Sequence, residues 1–154
     1  MNAARPARAP GRSSPIRKLG EWTFVSLDGV VDSPEWARPF LDDEHHRYAL
    51  TLLDEADALL LGRKTYEGLA DFWPKAEPGG SILKFGTGEL DKALLEHGLV
   101  DEFYFSKAPD LVGRGERLFD GVEATLELRE TTTFGSGVVV FRCGVRIAQT
   151  PPEG

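Results

Sequence analysis

Cysteine is almost absent: Cys143 is the only one in 154 residues, which excludes an internal disulfide and a thiolate metal cluster built within one chain. Such usage points to a reducing cytoplasm. Long apolar runs are also missing. The longest, such as ALLL at 58–61 and VVVF at 138–141, fall far short of the about 20 residues that a membrane-spanning helix needs. Acidic side chains are missing from the first 18 positions, where Arg5, Arg8, Arg12, Arg17 and Lys18 stand unopposed. The other 136 residues therefore hold 13 basic and 25 acidic side chains, a net charge of −12. An acidic body argues against nucleic-acid binding as the main activity.

What is present fits one ordinary domain with a real core, at 41% hydrophobic and 28% charged residues. The head, MNAARPARAPGRSSP, has no apolar stretch of the secretory kind, and its three prolines oppose an amphipathic transit helix. Residues 1–17 are therefore expected to be a disordered extension, 18–146 the folded domain, and 147–154 a loose tail.

Along the chain, strand and helix signals alternate. KLGEWTFVSLDG sets Trp22, Phe24 and Ser26 against Thr23 and Val25 before a turn at Asp28-Gly29, which predicts a first strand. VVDSPEWARPF reads as a proline-containing loop. DDEHHRYALTLLDEA then reads as a helix with acids in its first turn and Ala49, Leu52, Leu53 and Ala56 on its inner face. ALLLG has the unbroken apolar character of a strand covered on both sides in a parallel sheet. RKTYEGLADFW predicts the next helix, stopped by Pro74. SILKFGTG is a short strand, and ELDKALLEHG a helix with Leu90, Ala93, Leu94 and His97 on its apolar face and Gly98 at its end. DEFYFSKAPDLVG is a further strand. ATLELRETTTF and VVVFRCGVR, joined by Gly135-Ser136-Gly137, predict an antiparallel hairpin. No internal repeat is found. This order implies an α/β sandwich whose ligands sit beyond the carboxyl ends of the strands.

Two strands end in glycine followed by a helix start, at LLLGRKT and KFGTGEL. Unpaired amides and the helix dipole favour anions at such places, which makes a phosphate-bearing ligand the first hypothesis. Each fragment also has a plainer reading. Gly86-Thr87-Gly88 lacks the third glycine of a dinucleotide fingerprint and the lysine of a P-loop, and serves equally as a tight turn. Arg63 and Lys64 could be solvated first-turn residues, and Thr65 a cap. Asp28 closes a glycine turn or acts as an acid or proton relay. The acidic run Asp42, Asp43, Glu44 beside His45 and His46 suggests a metal site. Adjacent histidines, however, leave an α-helix about 100° apart, so no metal is expected. His97 reads as a packed histidine, and Cys143 as an unreactive strand residue.

Taken in order, FVSLDGVV, PFLDDE, LLDEADALLLGRKTYEGLADFWP, ILKFGTGELDKALLEHGLVDEF, GRGERLFDG and FGSGVVVFR resemble the dihydrofolate-reductase-like family. They are most similar to the group related to the reductase domain of the bifunctional riboflavin-biosynthesis deaminase/reductase, over 18–146. The resemblance implies a three-layer sandwich around a mixed, mostly parallel sheet of about six strands with a C-terminal antiparallel hairpin. It also implies an NADPH-dependent oxidoreductase of a small heterocyclic substrate, resembling 5-amino-6-(5-phosphoribosylamino)uracil reductase. In relatives, the loops matching Gly62, Arg63, Lys64 and Thr65 and matching Gly86, Thr87, Gly88, Glu89 and Leu90 hold the cofactor. Asp28 and Glu44 fall where substrate is oriented or a proton relayed. No membrane or nucleic-acid partner is implied.

One departure is large. Relatives carry further strands and a helix, several tens of residues, between the FWP helix and the ILKFGTG strand, where they form a sheet edge and the adenosine pocket. Here only residues 75–81 intervene. The ALLLG strand then becomes a sheet edge, which invites a homodimer. The alternative function is a shortened, catalytically impaired relative serving as a dimeric or weak nucleotide-binding module. A smaller departure is Asp110, where relatives prefer an apolar residue.

Overall fold

A computed structural model of the chain describes residues 17–32, 34–63, 67, 81–86 and 88–146. Strand β1 (Leu19–Val25) leads through a 3-10 helix (Pro34–Phe40) to helix α1 (Asp43–Asp54) and strand β2 (Ala56–Leu60). Then follow β3 (Ser81–Phe85), α2 (Glu89–Glu96), β4 (Glu102–Lys107), β5 (Thr125–Thr133) and β6 (Val139–Arg146). The six strands form one sheet in the order β2-β3-β1-β4-β6-β5. The β2–β3, β3–β1 and β1–β4 pairs are parallel, and β4–β6 and β6–β5 antiparallel. The mixed, mostly parallel α/β sheet with its C-terminal hairpin is as the sequence implied. The expected extension before Arg17, the expected tail from 147 and nearly all of the helix predicted at 63–73 lie outside the described residues.

The alternation of β1 divides the core between two faces of the sheet. On one face Trp22, Leu83 and Tyr104 pack with Tyr48, Ala49, Leu52 and Leu53 of α1. On the other, Leu19 and Phe103 pack with Leu94 and Leu95 of α2. Helices thus cover both faces, which makes three layers. Asp42 caps α1 by accepting the amide of His45 at 2.8 Å.

Several local expectations are corrected. VVDSPEWARPF contains a 3-10 helix that buries Ala37. Ala56 opens β2 instead of closing the helix before it. That strand is half-buried and not covered on both sides, with a register shift between Ala56 and Ala58, and among the described residues it lies at the sheet edge, as the short 75–81 connection implied. Helix α2 turns Asp91, Leu94 and Leu95 toward the sheet, leaving Leu90, Ala93 and His97 exposed. His97 is therefore not packed: its ring Nδ1 lies 2.7 Å from the carbonyl oxygen of Ala93, and Gly98 follows in the left-handed region at φ 64°.

Candidate functional site

The carboxyl ends of β2 and β3 open on a cleft of about 530 Å³, lined by Gly62 and Arg63 on one side and Gly86, Gly88, Glu89 and Leu90 on the other. The structure thus brings the two glycine-ended strand exits together. Lys64, Thr65 and Thr87, named with them from the sequence, lie outside the described residues. The geometry follows from local rules. Gly86 adopts φ 73°, the left-handed conformation that suits glycine, and donates its amide to the Trp22 carbonyl at 3.0 Å. This ends β3 and starts α2 three residues later. A helix cannot pair its own first amides, so those of Glu89 and Leu90 have no partner within the helix. Added side chains at Gly62 and Gly86 would project into open space, so both glycines leave room in the cleft. Arg63 is largely exposed, with Nε 3.6 Å from Glu67.

The floor of the cleft holds charges that sequence reasoning missed. Lys84, inside β3, donates to the Gly86 carbonyl at 2.8 Å and pairs with Asp91 of α2. Asp91 also accepts the Gly88 amide, as an acid at the third helical position does in a capping box. Beside them Glu21 is wholly buried. Burial first, then the neighbouring Asp91 charge and a hydrogen bond with it, push the Glu21 carboxyl up to about 9, against the pull of Lys84. The available signal was the placing of opposite charges inside two apolar strands, at GEWTFV and SILKF. Asp32 and Glu116 complete the cleft wall.

Asp28 and Glu44 do not line this cleft. Asp28 ties two loops together: its carboxylate accepts Ser26 Oγ at 2.5 Å and the amides of Val112 and Gly113 at 3.2 and 2.8 Å. These bonds, the Ser26 hydroxyl foremost, hold it down at about 2, so at neutral pH it is an ionised anchor. The anchored loops carry Asp32 and Glu116 to the cleft wall, with Val31 donating to the Glu116 carbonyl at 2.9 Å. Glu44 accepts the Gly135 amide at 3.0 Å, and Asp42 the Ser136 amide at 3.1 Å, joining α1 to the β5–β6 hairpin.

His45 and His46 diverge, the first buried and the second exposed. His45 sits among the rings of Trp22, Phe24 and Phe134, with Nε2 3.2 Å from Ser106 Oγ. Burial lowers its basicity. The same hydroxyl accepts Trp22 Nε1 at 2.7 Å. Cys143 is buried, which pushes its thiol up and away from reactivity.

Residues 74–140 match the family model for the RibD C-terminal domain. That stretch includes the turn and helix at 86–90 but neither Gly62 and Arg63 nor Asp28 and Glu44. Over 67 residues, 42% of the chain, the sequence is 40% identical to the uncharacterized protein YyaP of Bacillus subtilis, a match covering 36% of that protein's length. Among solved structures, a putative riboflavin biosynthesis protein from Shewanella sp. PV-4 superposes with TM-score 0.66 at 17% identity, over 84% of this chain and 99% of that one. A pyrimidine reductase-like protein from Corynebacterium diphtheriae gives TM-score 0.69 at 13% identity, over 85% and 92%. The diaminohydroxyphosphoribosylaminopyrimidine deaminase/5-amino-6-(5-phosphoribosylamino)uracil reductase of Thermotoga maritima gives 0.59 at 12%, over 84% and 57%. At such identities the likeness is one of fold. With the family match it upholds the resemblance to riboflavin-biosynthesis reductase domains and the dihydrofolate-reductase-like fold.

Proposed function

We propose that this chain, with RibD C-terminal domain sequence over residues 74–140, is an NADPH-dependent reductase of a small pterin-like or ribosylaminopyrimidine-like heterocycle. The observation that carries the reading is the convergence of Gly62, Arg63 and the 86–90 turn on one cleft at the carboxyl ends of adjacent parallel strands. The donor set fits a dinucleotide diphosphate. First-turn amides of Glu89 and Leu90 would meet phosphate oxygens, Gly62 and Gly86 let the backbone approach, and Arg63 supplies positive charge, with Lys64 and Thr65 as further candidates from the sequence. NADPH, when bound, supplies a hydride to a conjugated imine or carbonyl. The protein's own task is to align the two reactants, with Asp28 fixing the loops beside β1 and Glu44 fixing the start of α1. The fold and the absence, among the described residues, of any helix long and apolar enough to cross a membrane support a cytoplasmic setting. A homodimer through β2 belongs to the same proposal, because β3 is the only strand paired with it among the described residues.

A second reading is a nucleotide-binding module without turnover. It is favoured by Asp32 and Glu116 on the cleft wall, which oppose a further phosphate, and by the Glu67 carboxylate beside Arg63. Titration with NADPH, followed by nicotinamide fluorescence and thermal shift, separates these readings from neither being right. Saturable binding that weakens in Arg63→Glu supports the cleft. No binding at millimolar NADPH removes both. Oxidation of bound NADPH by a ribosylaminopyrimidine favours the enzyme, and binding without oxidation favours the module.

A further inference from the structure

Three ionisable side chains lie sealed beneath the cleft with exposures of 0% for Glu21, 3% for Lys84 and 1% for Asp91. They come from three elements. Glu21 and Lys84 are register partners on β1 and β3, and Asp91 projects from the first turn of α2. We propose that Glu21, Lys84 and Asp91 form a buried clamp that fixes Gly86 and Gly88 and so aims the first-turn amides of α2 into the cleft. The consequence for ligand binding rests on the cofactor reading above.

Among the described residues the clamp supplies two hydrogen bonds to Gly86 and Gly88: Lys84 Nζ donates to the Gly86 carbonyl at 2.8 Å, and Asp91 accepts the Gly88 amide. The backbone adds the amide of Gly86 to the Trp22 carbonyl and the amide of Asp91 to the Gly88 carbonyl. Moving Asp91 therefore moves Gly88, and with it the direction of the Glu89 and Leu90 N–H groups. The charge count explains the third member. One ammonium and two carboxylates would leave a net negative charge in a buried site, which is costly. One proton must be retained. Asp91 has two donors, Lys84 and the Gly88 amide, whereas both oxygens of Glu21 lack any N–H or hydroxyl donor among the described residues. Asp91 Oδ1 meets Lys84 as an ion pair but lacks an aligned hydrogen bond. A single proton on one Glu21 oxygen, donated to Asp91 Oδ1, satisfies two of these three orphan atoms and leaves the clamp neutral. Asp91 and Lys84 are the charged groups facing Glu21 from α2 and β3, and its register partner on β4 is the apolar Phe103. Glu21, Lys84 and Asp91 are thus positioning residues, acting through the turn.

Hydrogen exchange at the Gly88 amide, read by NMR in the ligand-free protein, tests the clamp independently of any cofactor. Asp91→Asn and Lys84→Met should exchange at least about tenfold faster than wild type, the scale of losing a charge-assisted hydrogen bond. Glu21→Gln keeps a neutral donor toward Asp91 and should match wild type within about twofold. Unchanged exchange in Asp91→Asn overturns the clamp, and fast exchange in Glu21→Gln overturns the placing of the proton. Asp91→Asn is isosteric and carries the test if Lys84→Met does not fold. NADPH titration of the same proteins should show affinity falling in parallel with exchange. A wild type that ignores NADPH defeats the cofactor reading alone, since the exchange data still judge the clamp.

Discussion

Glu21 and Lys84 stand opposite one another on adjacent parallel strands, and both are buried on the sheet face that α2 covers. Their partner Asp91 decides how that helix sits. Apolar periodicity alone would place Leu90, Ala93 and His97 inward, yet Asp91, Leu94 and Leu95 face the sheet, a rotation of about one residue or 100°. An ammonium in the interior has to be met by a carboxylate, and that need outweighs the small gain from burying Leu90 and Ala93 instead.

The buried Glu21 gives a pH dependence of known sign. Its carboxyl ionises near the ordinary 4.5 in the unfolded chain but at about 9 in the fold. Between these values the unfolded state binds fewer protons, so the contribution present below 4.5 is lost as pH rises toward 9. The loss for one proton is up to about 1.4 kcal/mol per pH unit. Urea denaturation from pH 5 to 9 should show a clearly flatter slope for Glu21→Gln than for wild type. Identical slopes would place the proton elsewhere.

Asp28 gives the opposite dependence. Held at about 2 in the fold against 3.8 ordinarily, it contributes stability above the latter value that disappears as pH falls toward the former. Asp28→Asn should melt below wild type at pH 7, and the two melting temperatures should converge near pH 2. Equal melting at pH 7 would show that the bonds to Val112 and Gly113 do not hold the loops.

The order of elements along the chain, the hairpin and the cleft were legible because period-two patterning, glycine at strand exits and short connections are local signals. LLLGRKT and KFGTGEL each announced a strand exit, and their meeting followed from the rule that ligands sit at the carboxyl ends of parallel strands. The charged floor was not legible. Glu21, Lys84 and Asp91 are distant in sequence and become one unit only through the β1–β3 register. Asp28 and Glu44 were legible as polar residues at turns and helix starts. The backbone amides they accept, at Gly113 and Gly135, belong to loops that no local pattern brings near.

Ser106 Oγ lies between Trp22 Nε1 and His45 Nε2, at 2.7 and 3.2 Å, in the buried aromatic cluster. Removing a hydroxyl there leaves two buried ring nitrogens unpaired, which costs about 1–3 kcal/mol for each group so exposed to desolvation. Ser106→Ala should lower the urea midpoint with unchanged m-value and alter tryptophan emission. Ser106→Thr, which keeps the hydroxyl, should retain more stability than alanine. Equal losses in the two variants would assign the effect to packing and not to the hydrogen bonds.

Among the described residues β2 has one open edge, and that edge is blunted. Its register shifts between Ala56 and Ala58, and the residue there, Asp57, is exposed and acidic. A bulge and a charge at an edge both oppose pairing with a second chain. The proposed homodimer should therefore be weak, with wild type exchanging between monomer and dimer across a concentration series in light scattering. Asp57→Val removes the charge and raises strand propensity, so it should shift that series toward dimer. A variant that stays monomeric wherever wild type does would exclude this edge as the pairing surface.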